Sequence, residues 1–177
     1  MSRYKTPPHN DEAEQAVIGS VLIDDDCLST LDLSPLDFWH TNNQIIWKAF
    51  LNLHAAGSPI DMVTVSAHLK KEGTLEEAGG ISGIADAFHE TPGTSNIATY
   101  AKIVKDKAAR RKFIEQMRGL AVQAYDEVAM EEIIDDAQVT FRYILEDLGS
   151  RGKRSVAEEV REWVLSTQGH FVSTDVH

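Results

Sequence analysis

The chain has 177 residues, 42% of them hydrophobic, with a formal net charge of −11 and a pI of about 5.0. That length suits one domain, or one domain with an appendage. The acidity argues against nucleic acid as the main partner, because phosphate binding needs clustered Lys and Arg; no apolar run approaches the roughly 20 residues of a membrane-spanning helix; and Met1-Ser2-Arg3-Tyr4-Lys5-Thr6-Pro7-Pro8 lacks the apolar stretch of a secretory signal.

The elements read as helix after helix. Asn10 or Asp11 can cap the first, with Asp11 and Glu14 at capping-box spacing, and Ala13, Ala16, Val17 and Val21 lie along it. Asp24-Asp25-Asp26 lacks the spacing and the glycine of a calcium loop, so it reads as a turn and cap for a short helix at 27–31. Ser34-Pro35 is a cap followed by a first-turn proline. From Thr41 or Asn42, the residues Ile45, Ile46, Ala49, Phe50 and Leu53 recur at three and four, which predicts one buried stripe. Gly57 supplies a left-handed stop and Pro59 follows it. Asp61 or Thr64 caps the next helix, which holds Val65 and Leu69 and ends at Gly73. Leu75 with Gly79-Gly80 forms a turn, Ile81, Ile84, Ala85 and Phe88 make a short helix, and Thr91-Pro92-Gly93-Thr94-Ser95 breaks it.

Residues 96–126 contain no proline and only Gly119, so they form one long helix or two in tandem. Phe113, Met117, Leu120 and Ala124 line one face. A second stripe holds Ile133 or Ile134, Ala137, Phe141, Ile144 or Leu145, and Leu148, with a break around residues 127–130. This spacing predicts an αα-hairpin. No segment alternates strictly enough for a strand, so the fold class expected is all-α: a compact multi-helix head, an extended αα-hairpin, a linker and a short C-terminal helix. Gly149 to Ser155 is polar and basic, as a linker would be. Val156, Val160, Trp163 and Val164 then fit an amphipathic helix, and Gly169, Phe171 and Ser173-Thr174-Asp175 read as the entry to an element continuing past His177.

Charge is uneven. Residues 11–90 hold fourteen Asp and Glu against three Lys and Arg, while residues 100–120 hold seven Lys and Arg (Lys102, Lys105, Lys107, Arg110, Arg111, Lys112, Arg118) against Asp106 and Glu115. Residues 121–148 are acidic again. The basic stretch is either the solvated face of one helix or a surface that pairs with acidic groups on another subunit.

No catalytic constellation emerges. Gly152-Lys153 lacks the Ser or Thr that a phosphate loop places after its lysine, where Arg154 stands, and Asp147 occupies the position of the loop's first glycine. Gly79-Gly80-Ile81-Ser82-Gly83 follows no strand, so it is not a dinucleotide fingerprint. The seven histidines are scattered and no second cysteine completes a zinc site. Cys27 is the only cysteine, which excludes an internal disulfide and fits a reducing cytoplasm. Its acidic neighbours would raise the thiol pKa, against a nucleophile. No cofactor and no metal are expected.

Several motifs, in order and at matching spacing, carry a family resemblance over roughly residues 7–148. They are Pro7-Pro8-His9-Asn10, Glu12 to Gly19, Leu33-Ser34-Pro35-Leu36-Asp37-Phe38-Trp39, Gly57 to Thr64, Leu75 with Gly79-Gly80, and Thr91-Pro92, Asn96-Ile97, Tyr100-Ala101 and Ile103-Val104. The set resembles the N-terminal domain of the DnaB-type bacterial replicative DNA helicase. The resemblance implies a helical head at 1–106 followed by a helical hairpin at 107–148; the residues beyond it read as a linker at 149–155 and the truncated start of a further helical element at 156–177. It implies a non-catalytic collar domain, with hairpins pairing subunits into dimers and three dimers closing a ring, and with primase or a helicase loader as partner. The family's ATPase is a separate RecA-like domain beyond the linker. On this reading the subunit interface is carried by Phe113, Met117, Leu120, Ile133, Ile134, Phe141 and Leu145. The expected location is the cytoplasm, without membrane attachment and without tight nucleic-acid binding. Residues 155–177 depart from the family's junction and look more like the start of a helix-turn-helix or winged-helix unit. Two alternatives therefore stand beside the collar: a stand-alone helicase-binding adaptor, and a DNA-binding regulator on the same helical fold.

Overall fold

The computed structural model describes the backbone of residues 5–126 and 128–149, and side chains as far as residue 145. Among the described residues there are seven α-helices, one 3-10 turn and no strand. The all-α reading therefore holds. The expected linker, apart from Gly149, and the expected element at 156–177 lie outside the described residues.

The chain divides into two compact units, Met1–Lys112 and Phe113–His177. The first begins with α1 (Asp11–Ile23). Asn10 caps it by accepting from the Ala13 backbone N–H at 2.8 Å. Of the two expected caps Asn10 acts, and Glu14 is no capping-box partner, because its side chain is buried and turned inward. The aspartates at 24–26 form a turn: the Asp26 N–H donates to Asp24 Oδ1 at 3.2 Å, and α2 (Asp26–Ser29) follows. Ser34-Pro35 opens only a 3-10 turn, Pro35–Asp37, with the Asp37 carboxylate reaching back to the Ser34 N–H at 2.7 Å.

The core gathers on α3 (Thr41–Ala55). Ile46, Ala49, Phe50 and Leu53 are buried as the stripe predicts, and Ile45 is half-buried. Trp47, outside that stripe, is fully buried as well, since its indole packs between Phe38 and Phe50 and its Nε1–H donates to the Leu33 carbonyl at 3.1 Å. Gly57 and Gly73 take the left-handed conformations that end α3 and α4 (Met62–Glu72). Asp61 caps α4, accepting from Val63 and Thr64 N–H groups, both at 2.8 Å. In α5 (Gly80–Glu90) the buried residues are Ile84 and Ala87, while Ile81 is exposed. α5 packs on α1 so closely that a Cβ on Gly19 would run into the Ala87 carbonyl oxygen and the Thr91 hydroxyl.

α6 (Ile97–Tyr125) is a single helix of 29 residues rather than two in tandem. It buries Ile97, Ala101, Val104 and Ala108 in the first unit and continues past the unit boundary. α7 (Met130–Gly149) follows after a short turn.

Candidate protein-interaction surface

The second unit contains the far part of α6 and all of α7. Its helices touch through Gln123, whose Nε2 donates to Asp136 Oδ2 at 2.9 Å. Ile133 is its one large apolar side chain that is buried among the described residues. Met117, Leu120, Phe141 and Leu145 are half-buried. Phe113 (43% exposed) and Ile134 (50%) face outward, together with Ile114, Val122, Tyr125, Met130, Val139 and Tyr143. The expected interface residues thus divide between an inner seam and an open flank. That seam is partly polar: Gln116 and Gln123 each bury a side-chain carbonyl oxygen with no hydrogen-bond partner among the described residues. Two helices with this little buried apolar surface gain little from folding together. The exposed Ile114, Val122 and Tyr143 were outside the expected stripes.

A polar cluster builds the base of the first unit. Glu14, 1% exposed, accepts from the Trp39 N–H at 2.6 Å, the His40 N–H at 3.2 Å and Asn43 Nδ2 at 3.0 Å. Its carboxylate thereby closes the loop between the 3-10 turn and α3. Arg111 reaches the same loop from α6. Its guanidinium donates to the Asp37 carbonyl at 2.7 Å and the Pro8 carbonyl at 2.8 Å, and lies 5.8 Å from the centre of the Trp39 ring. Burial lowers the Arg111 pKa, opposed by the negative charges of Glu14 and Asp37. Lys105 adds a bond to the Asp32 carbonyl at 2.6 Å and ion pairs to Asp32 and Asp37. Part of the basic stretch thus serves the head's own loops. No spacing rule could have revealed this, because the partners lie 68 to 103 positions away.

Pro7–Asn10 lies across this base. The His9 ring stacks on Trp39 with centroids 5.4 Å apart and planes at 20°. Its Nδ1 is 2.7 Å from the Pro7 carbonyl oxygen, and its Nε2 is 3.6 Å from Asp11 Oδ1. His40 Nε2 lies 2.8 Å from the same oxygen, and this hydrogen bond holds the Asp11 carboxyl below its ordinary pKa.

Burial and the neighbouring Asp24 push the Cys27 thiol upward, away from the thiolate a nucleophile needs. No group of three His, Cys, Asp or Glu side chains among the described residues is arranged to hold a metal. No helix among them is long and apolar enough to cross a membrane. The second unit does expose apolar side chains, among them Phe113, Ile114 and Ile134.

Comparison with known proteins agrees with this geometry. The family model of the DnaB-like helicase N-terminal domain matches residues 6–106. The chain is 33% identical over 166 residues to the replicative DNA helicase DnaC of Bacillus subtilis, covering 92% of this chain and 36% of that protein, so it spans little more than a third of that relative's length. The crystal structure of the N-terminal domain of DnaB helicase from Mycobacterium tuberculosis aligns at 32% identity with a TM-score of 0.74, covering 78% of this chain and 99% of that one. A DnaB-like replicative helicase whose structure was described together with its interactions with primase shares the fold at 19% identity and a TM-score of 0.66, over 94% of this chain and 36% of that one.

Proposed function

We propose, from the premise that this chain belongs to the DnaB-like helicase N-terminal domain family, that it is a non-catalytic collar domain that joins subunits and docks primase. The functional division follows head 1–106, hairpin 107–148 and linker 149–155. Hairpins from two subunits pair about a two-fold axis, which buries the same patch twice, and three such dimers close the ring. Unwinding and ATP hydrolysis belong to a RecA-like domain outside this chain. Primase or a loader binds the assembled collar; the description of one fold relative together with primase supports that partner.

The observation that carries the reading is the open apolar flank of the second unit, with Phe113 and Ile134 exposed while Ile133 is the one large apolar side chain buried among the described residues. A second copy supplies the missing cover. Analytical ultracentrifugation of the chain tests it, with circular dichroism alongside. The wild type is expected to dimerise. Phe113→Asp and Ile134→Asp should each weaken the dimer by about a hundredfold or more, since an unpaired charge in an apolar interface costs several kcal/mol. Both substitutions sit at exposed positions, so helicity should not change. A wild-type chain that stays monomeric at high concentration sinks the proposal.

A further inference from the structure

We infer that the pairing surface of the second unit is electrostatically opposed to its own copy, so that two chains associate more tightly as salt rises. The inference rests on the hairpin-pairing reading and adds a control to it. Residues 113–149 hold nine Asp and Glu against Arg118 and Arg142, a formal charge of −7 out of the chain's −11. The element that would pair with its own copy therefore carries most of the net charge.

The carboxylates border the flank that pairing covers. Ile134 is exposed, and the residues one helical turn from it include Met130, Glu131 and Gln138, all exposed as well. Glu132 and Asp135 are exposed beside them. Glu131, Glu132 and Asp135 form no ion pair among the described residues; the carboxylates that take cations, Asp11, Asp32, Asp37 and Asp106, all lie in the first unit. A two-fold contact presents a surface to its own copy. The two arginines of one copy can answer two carboxylates of the other, so no register makes the pair complementary. Apolar groups draw the copies together while the acidic rim pushes them apart. Salt separates the two forces. Repulsion between exposed charges fades as the screening length shortens from roughly 20 Å at about 20 mM salt to roughly 6 Å at about 300 mM, whereas burial of Phe113 and Ile134 does not depend on that length. An interface held by complementary charges would weaken instead.

Sedimentation equilibrium of the full chain in NaCl at about 20 and about 300 mM tests this, with circular dichroism alongside. The association constant of the wild type should rise about tenfold, the scale of a few exposed like-charge contacts screened together. Glu131→Gln combined with Asp135→Asn should pair more tightly than wild type at low salt and lose much of the salt response. Gln138→Glu adds a charge one turn from Ile134 without removing any group; it should pair more weakly at low salt and respond more steeply. Salting-out of the apolar flank would give all three proteins the same slope, and that result overturns the proposal. A wild-type dimer that is indifferent to salt, or weakened by it, overturns the proposal while leaving pairing in place. A chain that is monomeric at every salt concentration removes the pairing reading itself, and this proposal with it.

Discussion

Gly19 is where the first unit has least room. A Cβ there would overlap the Ala87 carbonyl oxygen and the Thr91 hydroxyl, and would meet Thr91 Cβ at 2.8 Å. Neither obstacle is a free side-chain end. The carbonyl is backbone of α5, and the Thr91 hydroxyl donates to that carbonyl at 2.6 Å. Gly19→Ala must therefore push α1 and α5 apart. Overpacking of this kind costs about 1–3 kcal/mol, and losing the threonine hydrogen bond adds about 1 kcal/mol. Better helix propensity returns about 1 kcal/mol. The net is a loss of about 2 kcal/mol, a fall in Tm of roughly 5–10 °C for a domain of this size. Gly119 supplies the control: nothing lies within 4 Å of its would-be Cβ, so Gly119→Ala should be neutral or stabilising by up to about 1 kcal/mol. Thermal melts followed by circular dichroism decide. If Gly19→Ala melts at or above the wild-type temperature, α1 and α5 do not approach as described, and the reasoning fails.

Three further outcomes are expected. Glu14→Ala strands the Trp39 and His40 N–H groups and Asn43 Nδ2, and should destabilise the head by about 3 kcal/mol or more in urea unfolding; a loss below about 1 kcal/mol would show that the loop closes without it. Asp61→Ala removes a two-bond helix cap and should cost about 1 kcal/mol. Because those backbone bonds hold the Asp61 carboxyl below its ordinary pKa, its contribution is present above the unfolded value and fades as pH falls through the folded one, so the gap between wild type and variant should shrink in acid; a gap that widens there contradicts the cap. Calorimetry with ATP and magnesium should give no saturable binding, and a measurable isotherm would remove the non-catalytic reading.

Punctuation was legible in this sequence. Gly57 and Gly73 stop helices because only glycine adopts their positive φ cheaply, and Asn10 and Asp61 start them through their short acceptor side chains. What escaped was decided by distant partners. Glu14 looks like a local cap residue, but its ligands come from residues 39, 40 and 43. Trp47 falls outside a narrow three-and-four stripe, yet Phe38 and the Leu33 carbonyl cover its flank. Ile81 fits the α5 period and is exposed, because α1 meets that helix at Ala87 and Thr91 instead. For the interaction surface the sequence marks which residues are apolar; the division into seam and flank depends on where α6 and α7 touch.

The self-engagement of Lys105, Arg110 and Arg111 alters what a polyanion would meet. Composition counts seven cations over residues 100–120, and each phosphate neutralised by a free cation lowers the slope of log K against log salt by about 0.9 through counterion release. Lys105 is held by Asp32 and Asp37, Arg110 by Asp106, and Arg111 by the carbonyls of Pro8 and Asp37. Lys105 and Arg111 release condensed ions only after surrendering contacts that hold the head's loops together, and Arg110 only after leaving Asp106 on its own helix. Any residual DNA affinity should therefore respond to salt much more weakly than the composition implies, and a slope near the full complement would mean that the loop at 32–40 comes apart on the nucleic acid.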